Sequence, residues 1–187
     1  MQTIWARIDA WLMANAPGVL KTLQPGASDA QIEAFEKVLG VQLPEDVKAS
    51  FRIHNGQSDH EYGLMDGREL LSLDRIQDEW LVWKDLLDSH MFEDIEGDPE
   101  PGIRSDWWNA AWIPLTHDGG GNHDCLDLAP AQGGTVGQII SMWHDEAERE
   151  RLAPSFRAWL TQLANGLESG QYIFSEEYGG IVNSEDI

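Results

Sequence analysis

His117, Asp118, His123, Asp124 and Asp127 lie close together in the chain, and imidazole and carboxylate are the ligand types that hold zinc and other divalent ions. Their spacing argues against a metal centre. His123 and Asp124 are neighbours in a segment that reads as a strand, so their side chains point to opposite faces, and no HExxH helix brings two histidines together. The glycines between them, Gly119, Gly120 and Gly121, share their richness with calcium-binding nonapeptides but occur once, so no stacked repeats can form. Covalent chemistry is no better supported. No GxSxG elbow is present, and the single cysteine, Cys125, sits in a short apolar run that favours a buried, inert thiol. Gly133, Gly134 and Gly137 form a glycine-rich turn without the lysine of a phosphate-binding loop. The expectation is a non-catalytic chain with no metal and no cofactor.

These residues need a scaffold, and the flanking segments supply one. Trp112 to Leu115 is short and apolar, Cys125 to Leu128 alternates, and Gly137 to Trp143 returns after Pro130 and two glycines. A three-stranded meander is the simplest structure with these breaks.

Several motifs along the chain follow one order: Leu39-Gly40, Leu43-Pro44, His54-Asn55-Gly56, Leu70 to Leu73, Trp112-Ile113-Pro114, the Gly119 to Gly121 loop and Leu126-Asp127-Leu128. They continue through Gly137 to Ile140, His144-Asp145, Ser155-Phe156 and Trp159-Leu160. In this order and spacing the sequence resembles the SUKH superfamily, which includes bacterial immunity proteins and the yeast Smi/Knr-type cell-wall regulators. The resemblance implies an α+β fold, a mostly antiparallel sheet packed by several helices, with residues 1–187 as a single domain ending in a frayed acidic tail. It implies a protein-binding function: first, an immunity protein that occupies a cognate toxin, and alternatively a housekeeping regulatory module. A metal-dependent hydrolase built on His117 to Asp127 is the remaining alternative. Pro44, Trp112, Pro114, Gly121, Asp127 and Phe156 carry the resemblance and are expected to hold the fold.

Charge narrows the partner. Twelve Lys and Arg against 33 Asp and Glu give a formal charge of −21, which repels nucleic-acid phosphates and anionic membrane surfaces. A basic protein, such as a nuclease-type toxin domain, would instead be steered inward, by roughly 10 to 10³-fold in association rate. The run holding Glu93, Asp94 and Glu96 is broken by glycine and prolines and reads as an exposed acidic loop. Trp107 and Trp108 follow it as candidate aromatic anchors. Asp118, His123 and Asp124 flank the glycine loop, and Trp143, His144 and Asp145 end the next strand; all six are expected to be exposed partner contacts.

Helical periodicity fills the rest. Ile4, Ile8, Trp11 and Leu12 share a face that Pro17-Gly18 would end. Ser28 and Gln31 have capping-box spacing ahead of Ile32, Phe35, Val38 and Leu39, with Gly40 as C-terminal cap. Pro44 would occupy the first turn of a third helix, stopped at Asn55-Gly56. Asp66-Gly67 signals a small hairpin, after which Leu73, Ile76, Trp80, Trp83 and Leu87 form a buried seam. Phe156 to Leu167 repeats that spacing, and Tyr172 to Phe174 would add an edge strand or clasp. Nine tryptophans suit core edges or an interface. The N-terminal pattern contains Arg7 and Asp9 and does not read as a secretory signal, no apolar run is long enough for a transmembrane span, and the lone thiol suits a reducing compartment; the expected location is cytoplasmic.

Overall fold

A computed structural model describes residues 1–58 and 62–187. Helix α1 (Gln2–Asn15) turns Ile4, Trp5, Ile8 and Leu12 inward. Trp11, expected on that face, is only half-buried, and Trp5 takes the inner position with its indole N–H donating to Ser50 Oγ at 2.8 Å. Pro17 does end α1, because it cannot donate a backbone hydrogen bond, but it also opens a second helix, α2 (Pro17–Thr22), where that donor is not needed. Strand β1 (Leu23–Pro25) leads to α3 (Asp29–Leu39). There the Ser28/Gln31 capping box and left-handed Gly40 form as the sequence predicts.

Pro44 caps α4 (Glu45–Phe51) from outside rather than sitting in its first turn. The helix also stops sooner than Asn55-Gly56 suggested. Those two residues lie in strand β2 (His54–Gln57), antiparallel to β1, and Gly56 takes φ +66°. Asp66 and Gly67 form the expected turn, both in the left-handed region with φ 55° and 75°, which suits a tight reverse turn. Among the described residues its arms are joined by the Met65–Arg68 bridge. The following strand, β3 (Glu69–Leu70), pairs elsewhere.

Ser72 Oγ accepts from Arg75 N and starts α5 (Leu73–Asp88), which buries Leu73, Ile76, Trp80 and Trp83 of the predicted seam, while Leu87 at its end is only half-buried. The acidic segment then contributes β4 (Asp98–Pro99). β5 (Trp112–Pro114), β6 (Thr116–His117), β7 (His123–Asp127) and β8 (Gln138–Met142) follow, of which β5, β7 and β8 form the expected three-stranded meander. Two further short strands come next, β9 (Glu148–Arg149) and β10 (Arg151–Ala153). The main sheet runs β10-β8-β7-β5, all antiparallel, with Leu126 opposite both Ile113 and Ile139. β6 pairs with β3, and β9 pairs with β4 in parallel, tying the acidic segment to the turn beyond β8.

Every residue of β7 and β8 is buried, so the central strands are covered on both faces. Helix α6 (Phe156–Ser169) buries Phe156, Trp159, Leu160, Leu163 and Leu167, capped by Ser155 and closed at left-handed Gly170. The expected clasp is a hairpin, β11 (Tyr172–Ser175) with β12 (Gly180–Asn183), and only Glu185 to Ile187 beyond it are exposed. Helices on an antiparallel sheet make this an α+β fold.

Candidate functional site

The histidines and carboxylates around the glycine loop do not converge. His123 is 2% exposed. Its Nδ1 lies 2.6 Å from the Thr116 carbonyl, which can only accept, so Nδ1 carries the proton and Nε2 accepts from the Trp83 indole at 3.2 Å. Both ring nitrogens are thus occupied in the neutral imidazole. Burial is the main reason its pKa falls to about 4. Asp124, 6% exposed, accepts from Arg68 Nη1 at 2.8 Å, yet burial outweighs that pairing and lifts its pKa to about 6.

Asp127 accepts from Gln138 Nε2 and Ala129 N, and Asp118 accepts from the backbone of Gly120 and Asn122 and from the Asn122 amide. Burial pushes the Asp118 carboxyl up, but those donors together hold it below its ordinary value. No group of three metal-ligating side chains occurs among the described residues. Cys125 is fully buried, and desolvation drives its thiol pKa well up, as an inert core thiol requires.

The exposure expected of several candidate contacts is therefore corrected. His123 and Asp124 are buried because β7 lies in the middle of the sheet with cover on both sides. Trp108, 2% exposed, packs against Trp80 and Trp83. Trp143 is half-buried with the Arg68 guanidinium over its ring at 5.2 Å.

His123 and Asp124 pull the pH dependence of stability in opposite directions. Neutral His123 stabilises the fold above its unfolded pKa of 6.5, and that contribution is lost as pH falls through about 4. Protonated Asp124 contributes below 3.8, and its contribution is lost as pH rises through about 6. At about 1.4 kcal/mol for each tenfold change in proton affinity, each is worth ~3 kcal/mol, and the two nearly cancel between pH 6.5 and 4. Asp124→Asn should remove the compensation. Urea unfolding of that variant is expected to show stability falling by ~3 kcal/mol across this window while the wild type stays nearly level; parallel curves would refute the pairing.

Of the other candidates, Trp107 and His144 line a groove of about 430 Å³ beside α5. Glu79, Val82, Trp83 and Leu86 of α5 line it together with Met91, Phe92 and Ile95 of the segment that follows, and Trp107, Gly121 and His144 complete the lining. Val82, Leu86, Met91 and Ile95 are 57%, 36%, 59% and 43% exposed, a concentration of apolar surface on an otherwise acidic chain. Glu93, Asp94 and Glu96 alternate with these apolar residues and are exposed, as expected; Asp145 is exposed next to His144. Asp118 is exposed on the neighbouring loop.

Trp107 is held by a buried cation. Arg149 is 0% exposed; its Nη1 donates to the Glu146 and Glu148 carbonyls at 2.6 and 2.7 Å, and its Nη2 to the Trp107 carbonyl at 2.8 Å. The guanidinium also stacks over the Trp107 ring at 5.3 Å. Burial lowers its pKa, though the nearby acidic groups oppose this.

The sequence reading missed the groove's walls and its clamp. A signal was present for the first: Val82 and Leu86 are one helical turn apart and lie off the Ile76, Trp80, Trp83 seam, and Met91 and Ile95 are apolar residues inside an acidic segment. Nothing in the sequence marked Arg149, whose partners are main-chain oxygens.

Comparison with known proteins gives this fold a family. The model of the SMI1 / KNR4 family (SUKH-1) matches residues 26–162. The chain is 29% identical to the Schizosaccharomyces pombe cell wall biosynthesis/cell cycle regulator smi1, with 92% of this chain and 37% of the relative aligned. It is 28% identical to the Saccharomyces cerevisiae cell wall assembly regulator SMI1, covering 92% and 41%, and 26% identical to the Neurospora crassa glucan synthesis regulatory protein, covering 92% and 39%. It spans about two fifths of the length of these curated relatives. With a family model matched over most of its length, and the α+β fold that the resemblance implied, the chain belongs to the SMI1 / KNR4 family (SUKH-1).

Proposed function

We propose that this chain is a non-catalytic regulatory interaction module that engages a protein partner through the apolar groove beside α5. The observation that carries the reading is the convergence of four exposed apolar side chains, Val82, Leu86, Met91 and Ile95, around Trp83 and Trp107. Apolar surface gathered in a concave site with aromatic anchors and a polar rim is what protein recognition needs. The relatives named above are regulators of cell-wall and glucan synthesis, which supports a regulatory module over the toxin-neutralising role expected first. Regulators as relatives also agree with a chain that does no chemistry. The lone buried Cys125 is consistent with action in the cytoplasm.

The test is capture of partners from the producing organism by the wild type and by Met91→Asp. Both positions of contact and fold can be separated, because an exposed substitution should alter stability by no more than about 0.5 kcal/mol. The expected result is a specific partner retained by the wild type and lost by the variant at equal thermal stability. Retention by both would place the interaction elsewhere on the molecule.

A further inference from the structure

We infer that the groove takes a short amphipathic helix from its partner, with an apolar stripe flanked by lysine or arginine side chains; this rests on the interaction reading above. The backbone around the groove decides against an added strand. Met91 N, Glu93 N and Ile95 N donate to the Leu86, His90 and Phe92 carbonyls, and Gly97 N and Asp98 N to Ser105 and Ala147. Glu96 is already bridged to Asp106. With those main-chain groups engaged, the groove offers side chains rather than a strand edge, which is the condition for a helix laid in a groove.

The shape agrees. Val82 and Leu86 stand one turn apart on α5, about 6 Å along its axis, and form a ridge beside which another helix can nest. The segment after α5 lines the groove with Met91, Phe92 and Ile95, and so includes a methionine, the side chain that most readily adapts to a partner's contour.

Charge selects the flanks. Glu93, Asp94 and Glu96 are exposed beside the apolar wall, Asp145 lies next to His144 at the groove's end, and the chain as a whole carries −21. An acidic-flanked helix would meet like charge on approach, whereas a basic-flanked one would be steered in.

The probes are three synthetic peptides of about 14 residues, roughly 21 Å as helices: a Leu/Lys sequence with leucines on one helical face, its Leu/Glu counterpart, and a scrambled Leu/Lys sequence of the same composition. Binding to the full chain is read by fluorescence anisotropy at two salt concentrations. The amphipathic Leu/Lys peptide is expected to bind at least ~10-fold more tightly than either control. Met91→Asp should weaken it by ~10-fold or more even though the substitution adds negative charge, and Glu93→Lys with Asp94→Lys and Glu96→Lys should weaken it and flatten the salt dependence.

Equal binding of the scrambled peptide, tighter binding by Met91→Asp, equal binding of the Leu/Glu peptide, or no binding of any peptide would each overturn the inference. The two readings fail separately. If the peptides fail while Met91→Asp still abolishes partner capture, the groove keeps its function and loses this occupant. If the peptides behave as expected but capture is indifferent to Met91→Asp, the functional reading falls.

Discussion

Arg149→Met is expected to lower the unfolding free energy by about 3 kcal/mol, read as a shift in urea midpoint. The side chain is 0% exposed and serves the carbonyls of Glu146, Glu148 and Trp107. Methionine fills much of the volume but leaves those oxygens without their donor, at a cost of ~1 to 3 kcal/mol for each one that water cannot reach. Removing a desolvated charge offsets part of the loss, which keeps the total below the sum. Arg149→Lys separates charge from geometry. An ammonium on a flexible stem cannot reproduce the planar fork that spans Trp107 and the turn at Glu146 to Glu148, so the lysine variant should recover less than half of the loss. Wild-type stability in Arg149→Met would mean that the guanidinium's hydrogen bonds only balance its desolvation.

Gly56→Ala should cost as much or more, ~3 to 5 kcal/mol. Two penalties coincide in strand β2. At φ +66° an L-residue is strained, and a Cβ would sit inside the van der Waals radii of the Leu71 carbonyl and Ser72 nitrogen, which are backbone and cannot rotate aside. Ser72 is also the N-cap of α5, so relief by displacement would disturb the helix that forms one wall of the groove. Gly40 is the internal control. It too has positive φ, but a Cβ there meets nothing within 4 Å, so Gly40→Ala should lose only the conformational part, about 1 kcal/mol. Equal losses at Gly40 and Gly56 in thermal unfolding would show that the close approach to Leu71 does not matter.

The features visible in the sequence are those whose causes are local. The Ser28/Gln31 capping box, the Gly40 cap, the α5 seam as far as Trp83, the α6 seam and the three meander strands are each set by residues a few positions apart, and all are present. Pro17 and Asn55-Gly56 show the limit of such signals. A proline that ends one helix can begin another, and a glycine that could stop a helix can instead let two backbones touch.

Exposure was harder to read, because it depends on what the rest of the chain lays over a segment. Glu93, Asp94, Glu96, Asp118, His144 and Asp145 are exposed as expected; a broken acidic segment has little that could cover it. His123 and Asp124 look equally polar, yet their strand is central, and their polar atoms are satisfied by Trp83 and Arg68 from distant parts of the chain. The groove was half legible. Its rim and Trp107 were named from charge and aromatic content, while its apolar walls become visible only when α5 and the segment after it are seen side by side.

Trp107 also turns the groove into its own reporter. Six of the nine indoles, Trp5, Trp80, Trp83, Trp108, Trp112 and Trp159, are buried and should emit at short wavelength already, leaving Trp11, Trp107 and Trp143 half in water. Of those three only Trp107 lines the groove. An occupant that expels water there should move the red edge of the intrinsic fluorescence toward the blue, and Trp107→Phe should silence that response, so occupancy can be followed without attaching a dye.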